Sequence, residues 1–318
     1  MAVSEVREQW ARLLWRAGWV LLLAMVFHAV ALVVTGGDVN GPVSLRKPAT
    51  FAEASWLLCW SVCLALRWLD LRAWQLRFLG MSVLAFGFGE TSIMAIQAWR
   101  GVPSHYNVTT TFDAILMRGG AAGLALVLLA GLVVLLVGVR HSAAPASIRL
   151  GLTSGTGVLI LGAVIGFAMI SNMSGVFQGA LATGFGVAQV GYLGPPASEV
   201  GAEWLSFRAH TEGGDLVLLH AIGVHGLVLL GLPAMLLARS QLGERSKLLR
   251  VRLMTVSIAG LLVVLGENAL AQQPWDALRL WQYALLALAV LGYLGTLVSV
   301  VVGLLVGGAA LRAAPGGR

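Results

Sequence analysis

The sequence predicts an all-α integral membrane protein, a polytopic bundle of about eight transmembrane helices in one transmembrane domain over residues 1–318. Hydrophobic residues make up 58% of the chain and charged residues only 11%, and the mean hydropathy is +0.86. Soluble domains carry about 25% charged residues, so a water-soluble globule is excluded. Apolar runs of roughly 20 residues recur along the chain, which is typical of spanning helices and not of a membrane barrel.

The spanning helices follow from windows of about 19 residues. They are predicted at 17–35, 51–67, 79–98, 114–139, 150–170, 215–238, 253–272 and 281–307. The first is expected to be a signal anchor, because it is long enough to span and lacks a small-residue cleavage site. The uncharged segment 171–194 is rich in Gly, Ala and Ser. We expect it to be re-entrant or interfacial, with a plain surface loop as the alternative.

The basic residues predict the orientation of the chain. Six of the 21 lie in or beside the connections on one side, at Arg46, Lys47, Arg100, Arg118, Arg208 and Arg279, and the other fifteen lie on the opposite side. The positive-inside rule then places both termini in the cytoplasm and the protein in the cell inner (plasma) membrane. The excess of Arg over Lys, with 40 Gly, is typical of a GC-rich bacterial genome. The arginines form no basic stripe, so nucleic acid is not expected as a partner.

Five ionisable residues inside the predicted spans lie toward the same side of the membrane. At about 1.5 Å per residue, Glu90 lies about 13 Å, Glu267 about 10 Å and His28 about 12 Å below the outer ends of their helices. His220 and His225 lie about 8 and about 15 Å below the outer end of theirs. Burying such groups in a bilayer is costly. We therefore expect one polar chamber that opens toward the outside.

Helical spacing relates these residues to their neighbours. Glu90, Met94 and Gln97 fall on one stripe of the third span, while His220 and His225 lie about 140° apart. That angle disfavours an H-x-x-x-H metal pair.

Several other polar residues receive local interpretations. Asn268 follows Glu267, and His105 lies in the loop beyond the third span. We interpret Thr50 to Glu53 as a capping box that opens the second span. Asp113 or Thr111 is expected to cap the fourth span.

The leading hypothesis is a membrane redox protein. Neutral imidazoles of His28, His220 and His225 are suitable ligands for haem b or a transition metal, with Glu90 as a further ligand. Glu90, Glu267 and His105 are the predicted catalytic residues, the two glutamates as proton donors to a quinone or bound oxygen species. Gln97 and Asn268 are the predicted cofactor-binding amides, because amides orient imidazole ligands. No c-type haem motif is present in the sequence, so a haem is expected to be held without covalent bonds.

Two other function classes stay open, and with them whether the chain is an enzyme. In a proton-coupled transporter, Glu90 and Glu267 titrate in a hydrated cavity and 171–194 forms a gate. In a membrane enzyme acting on a lipid-linked substrate, His105 or His210 is the base, with Asp113, Arg100 or Arg208 as its partner. The expected partners are the lipid bilayer and a quinone or other membrane subunits.

Overall fold

The computed structural model describes residues 2–37, 43–104, 107, 109–171, 203–204, 207–208, 216–271 and 277–313, with the backbone alone at 118, 168–171, 203–204, 207–208 and 306–313. The helices are α1 (Val3–Thr35), α2 (Arg46–Ala65), α3 (Ala73–Trp99), α4 (Thr111–Ala114), α5 (Ala122–His141), α6 (Ala146–Ser171), α7 (Val217–Val224), α8 (Leu232–Leu237), α9 (Glu244–Leu270) and α10 (Leu280–Ala313). π-Helical turns at Ile115–Ala121 and Leu227–Gly231 join α4 to α5 and α7 to α8, and a 3-10 turn at Leu66–Trp68 extends α2. Strands β1 (Glu203–Trp204) and β2 (Phe207–Arg208) pair antiparallel.

The helices confirm the predicted all-α polytopic bundle. Seven helical segments are long and apolar enough to cross a membrane, and an eighth is formed if the bent pair of α7 and α8 counts as one span. Each overlaps one of the eight predicted spans, because a run of about 20 apolar residues is a local property that a sequence window detects directly. The protein is a multi-pass membrane protein. The predicted re-entrant segment, beyond Ser171, lies outside the described residues.

The two ends of the bundle differ in their connections. The end formed by residues 69–72, 142–145 and 238–243 is called the short-loop end, and it also holds the start of α1 and the last described turn of α10. The opposite end, at which α1 ends at Thr35, α3 at Trp99, α6 at Ser171 and α9 at Leu270, is called the long-loop end. Of the fifteen basic residues that the sequence analysis groups on one side, the fourteen that are described lie at or near the short-loop end.

Two groups of helices pack side by side. In the first, α1, α2, α3 and α5 bury a core that includes Leu14, Leu21, Leu66, Leu76, Leu79, Leu132 and Leu135. In the second, α8, α9 and α10 bury Leu230, Ala234, Met254, Ile258 and Val300. Helix α6 packs against α5 on one side and against α7, α8 and α9 on the other. Helix α2, a member of the first group, also contacts the π-helical turn Leu227–Gly231, so it connects the first group to the bent span.

Glycines bring α6 and the bent span into backbone contact. A Cβ built on Gly162 would lie 2.5 Å from the backbone carbon of Gly223, and one built on Gly155 would lie 2.9 Å from the carbonyl oxygen of Gly226. Small residues allow helices to approach this closely in membranes. Gly155 and Gly162 of α6 thus lie directly against the backbone of the bent span, at Gly226 and Gly223.

The sixth span is broken where the sequence predicts a continuous helix over 215–238. Its halves, Val217–Val224 and Leu227–Leu237, meet at 45°. The break lies at His225 and Gly226, between these halves. Within the second half, Pro233 has no backbone N–H to donate to the carbonyl of Leu229 four residues earlier. The hydroxyl of Tyr293 on α10 donates to that carbonyl at 2.9 Å. The tertiary structure thus replaces the hydrogen bond that proline removes.

Candidate functional site

Four ionisable side chains lie at a similar depth below the long-loop end of their helices. Counted from the helix ends at 1.5 Å per residue, His28 and Glu53 lie about 10 Å deep, His225 about 12 Å and Glu90 about 13 Å. Glu267 lies only about 4 Å deep, because α9 ends at Leu270. The four residues at this depth come from four different spans. Glu53 was not expected among them, because the sequence predicts a capping role for it.

His225 and Glu53 form the one imidazole–carboxylate pair found among the described side chains. The Nε2 atom of His225 lies 3.5 Å from Oε2 of Glu53. The pair joins α2 to the bent span at its break, because His225 is the residue that ends α7. The side chains are 28% and 38% exposed, respectively, so the pair is accessible at the surface of the described bundle.

The other ring nitrogen of His225 fixes its protonation pattern. Nδ1 lies 2.8 Å from the carbonyl oxygen of Ala221. A carbonyl only accepts hydrogen bonds, so Nδ1 must carry a proton and donate. In a neutral imidazole, Nε2 then bears a lone pair. This lone pair would face an acceptor-only carboxylate unless one proton lies on Nε2 or on Glu53, so the geometry is suited to holding a single proton between the two groups.

The capping interpretation of Glu53 is wrong. Helix α2 begins at Arg46, before the predicted start at 51, so Glu53 lies in the second turn, and the hydroxyl of Thr50 donates to the carbonyl of Lys47 at 3.0 Å. Pro48 lies in the first turn of α2, where proline is tolerated, and it therefore indicates a helix start just before it.

His28 and His220 each bond to a backbone carbonyl through Nδ1. His28 bonds to Ala24 O at 2.8 Å within α1, and its ring is 5.1 Å from that of Phe27. His220 bonds to Gly162 O at 2.8 Å across the contact of α6 and α7. In both rings the Nδ1 proton donates, which leaves Nε2 with the lone pair of a neutral imidazole. The two rings contact different helices, because His220 bonds to Gly162 of α6 whereas Nε2 of His225 approaches Glu53 of α2.

The predicted polar stripe of α3 is buried. Glu90 is 4% exposed, while Met94 and Gln97 are fully buried. The carboxylate of Glu90 makes no hydrogen bond or ion pair with any described residue. Its position on the buried face of α3, and not toward lipid, agrees with the expectation for an intramembrane acid.

Gln97 belongs to a buried cluster at the long-loop end of α3. Its Nε2 donates to Oδ1 of Asp113 at 2.8 Å, and Nη1 of Arg100 donates to the same oxygen at 2.6 Å. Thr110, the N-cap residue of α4, accepts from the backbone N–H of Asp113 at 3.1 Å. Thr110 therefore caps the helix where Asp113 or Thr111 was expected to do so. Asp113 is 2% exposed and serves as the acceptor that holds Arg100 and Gln97 in place.

Glu267 is neutralised at the link between α9 and α10. Nη1 of Arg279 lies 3.4 Å from its Oε1, and Nε2 of Gln282 donates to its Oε2. The adjacent Asn268 is fully buried within α9. Gln282 was not singled out from sequence, because only the pairing of α9 with α10 places it opposite Glu267.

The five ionisable residues predicted from sequence make no hydrogen bond or ion pair with one another in the described structure. Their contacts form separate local sites, and no group of three or more His, Cys, Asp and Glu side chains arranged for a metal ion occurs among the described residues. His105 and His210 lie outside the described residues.

No known protein family, curated protein or solved structure matches the chain.

Proposed function

We propose that the chain is a proton-coupled membrane carrier, with His225 and Glu53 as its proton-binding pair. The observation that carries this proposal is the 3.5 Å approach of His225 Nε2 to Glu53 Oε2 at the break of the sixth span. Nδ1 of the same ring is committed to Ala221 O, so a bound proton lies between groups that otherwise present lone pairs to each other.

The position of the pair supports a coupling role. Discontinuous spans are used by transporters to form binding sites within the membrane. Here the residue at the discontinuity is itself the imidazole, and its partner is on α2, which packs against both α3 and the π-helical turn Leu227–Gly231. When the proton is lost, the attraction between Glu53 on α2 and His225 in the bent span is lost too. Proton binding and the bend of the span are therefore linked through this contact.

Proton flux in proteoliposomes tests this proposal. Vesicles with an entrapped pH-sensitive dye and an imposed pH gradient are offered a panel of amino acids, sugars and monovalent cations. We expect at least one solute class to speed the loss of the gradient, and both Glu53→Gln and His225→Gln to abolish that effect. Glu8→Gln is the matched control, because Glu8 is an exposed carboxylate paired with Arg12 in α1. A wild-type protein that leaves the gradient unchanged across the panel, or two site variants that behave like wild type, contradicts the proposal.

A redox protein is the second candidate, and the bonds of His28 and His220 favour it. Ligand imidazoles usually donate their other N–H to a carbonyl or carboxylate, and both rings do so toward backbone carbonyls. Either Nε2 atom would be able to hold haem b or a transition metal, which would supply electron-transfer chemistry when bound. His225 fits this role less well, because its Nε2 faces Glu53.

Optical and elemental analysis of the purified protein separates the two candidates. The redox function predicts a Soret band or a stoichiometric metal that is lost in His220→Ala or His28→Ala and retained in Glu53→Gln. A colourless, metal-free protein with normal proton flux removes the redox function and leaves the carrier.

We also propose that the protein lies in a bacterial plasma membrane with both termini in the cytoplasm. The support is the cluster of basic residues at the short-loop end, which the positive-inside rule assigns to the cytoplasm.

A further inference from the structure

Glu90 is a buried carboxyl group that the proposed carrier mechanism does not use. It lies about 13 Å below the long-loop end of α3, by the helical rise, and only 4% of it is exposed. None of the described residues donates a hydrogen bond to it or pairs with its charge. An ionised carboxylate without a partner is costly in such a position in a membrane, so the surroundings favour the neutral acid.

The next residue, Thr91, presents a second buried polar group without a partner. Its Oγ1 is inaccessible and makes no hydrogen bond. Thr35, Thr255 and Thr296 all donate to the carbonyl four residues earlier in their helices, which is the usual bond of a helical threonine. The hydroxyl of Thr91 does not make this bond and is available to another group.

The packing one turn below Glu90 limits what the site can hold. A Cβ on Gly87 would lie 3.4 Å from Cβ of Ser55 and 3.5 Å from Leu21, so α3 is in close contact with α1 and α2 there. No set of three or more His, Cys, Asp and Glu side chains suited to a metal ion is found in the described part of the chain. A proton, with at most a small hydrogen-bonding molecule such as water, suits these surroundings.

Apart from Cys59, a buried free thiol on α2, the other ionisable groups on the helices that pack against α3 have partners or lie far along the helix. His28 on α1 bonds to Ala24 O, Glu53 on α2 faces His225, and Asp113 before α5 is paired with Arg100. Cys63 on α2 donates to Ala11 O. Arg140 and His141 lie in the last turn of α5, at the short-loop end. The side chain of Arg118 lies outside the described residues.

We propose that Glu90 is a second proton-binding site, a neutral carboxylic acid inside the bundle that is separate from the His225–Glu53 pair. Its proton is the ligand. The assignment rests on the burial of Glu90 and on its lack of a partner among the described residues, and the unpartnered Thr91 hydroxyl in the same turn of α3 is a second buried polar group. It does not depend on the carrier function.

Infrared spectroscopy of the purified protein tests this assignment. A protonated carboxyl group has a carbonyl stretch that is separate from the bands of ionised carboxylates and of the peptide backbone. At neutral pH we expect Glu90→Gln to lose one such band. Glu267→Gln is the matched control and is expected to retain it, because Glu267 is paired with Arg279 and Gln282. Loss of the band in Glu267→Gln, or its persistence in Glu90→Gln, overturns the proposal.

The infrared spectrum of the wild-type protein provides a test that needs no variant. At neutral pH we expect it to contain the band of a protonated carboxyl group and to keep that band when sodium is added at constant pH and ionic strength. A wild-type spectrum without this band overturns the proposal. Loss of the band on addition of sodium also overturns it, because the site would then hold a metal cation and not a proton.

Discussion

His225 is positioned by a bond to its own helix and by a contact to another. The bond from Nδ1 to Ala221 O orients the ring, and the orientation directs Nε2 toward Glu53. Neither residue could be paired from sequence, because the order and rotation of helices are not local properties. The depth of His225 below the end of its helix could be predicted, since it depends only on the helical rise.

Asp113 illustrates a different limit of sequence reasoning at the same scale. Its place near a helix start was predicted from the threonines before it. Its bonds to Gln97 and Arg100 join α3 to the start of the fourth span, and no spacing rule relates residues in two different helices. The sequence therefore indicates a capping role and misses the ion pair.

Replacing Asp113 by asparagine tests the stabilising role of this cluster. Asp113→Asn keeps the shape of the side chain but removes the negative charge that faces Arg100. We expect a loss of about 2 kcal/mol in the free energy of unfolding, because Arg100 loses its ion pair and the amide group that replaces one carboxylate oxygen cannot accept a hydrogen bond. Thermal unfolding in detergent measures it, with Glu8→Gln as the exposed control. An unchanged midpoint would show that the cluster does not stabilise the fold.

At the scale of elements, the contact between α6 and α7 depends on glycine. Gly162 faces the backbone of Gly223 and Val224, each within 2.5 Å of a built Cβ, whereas a Cβ on Gly157 of the same helix meets nothing within 4 Å. The two glycines thus provide a matched pair of substitutions.

We expect Gly162→Ala to destabilise the protein by about 1–3 kcal/mol, as overpacking does. Gly157→Ala should be neutral or stabilising by up to about 1 kcal/mol, because alanine is the better helix former. The difference between the two unfolding midpoints is the measurement. Equal midpoints would mean that α6 and the bent span do not touch at Gly162.

The break in the sixth span is also a property of an element and its neighbours. Hydropathy correctly predicts that residues 215–238 form a span, but it carries no information about a bend. Pro233 lies eight residues beyond His225 and does not account for the bend. It leaves the carbonyl of Leu229 without a helical donor, and the hydroxyl of Tyr293 donates to that carbonyl.

A double-mutant cycle tests whether the hydroxyl of Tyr293 replaces the hydrogen bond that Pro233 removes. Tyr293→Phe should cost about 1 kcal/mol, since Leu229 O loses its hydrogen bond. In a Pro233→Ala background the cost should fall, because residue 233 then has an N–H that can reach the same carbonyl. Equal costs in both backgrounds would show that Pro233 and Tyr293 act independently.

At the scale of the whole molecule, the polar chemistry is concentrated in one half of the bundle. His28, Glu53, Glu90 and His225 come from four spans and lie at depths of about 10–13 Å below the long-loop end. Hydropathy and helical rise predict the depths of His28, Glu90 and His225, because both are read along one chain segment at a time. They do not predict Glu53, which was assigned to a helix cap, and they place Glu267 too deep, because its helix ends at Leu270. Which residues contact each other within it depends on the packing of α2 between α3 and the bent span.

Labelling of introduced cysteines tests the orientation of the molecule. The native Cys59 is buried and Cys63 is half-buried. Thr111→Cys at the long-loop end should react with a membrane-impermeant maleimide in intact cells. Gln241→Cys at the short-loop end should react only after the membrane is opened. The reverse pattern would refute the proposed orientation.

The central claim is that His225 and Glu53 hold one proton between them at the break of the sixth span. Nitrogen NMR of ¹⁵N-histidine-labelled protein, with His225→Gln to assign its signals, tests it most directly. A wild-type His225 with protons on both ring nitrogens, or with Nε2 in a hydrogen bond from a protonated Glu53, is the predicted result, and Glu53→Gln should change the Nε2 signal while Nδ1 stays protonated. A His225 spectrum that is the same in wild type and in Glu53→Gln would contradict the account.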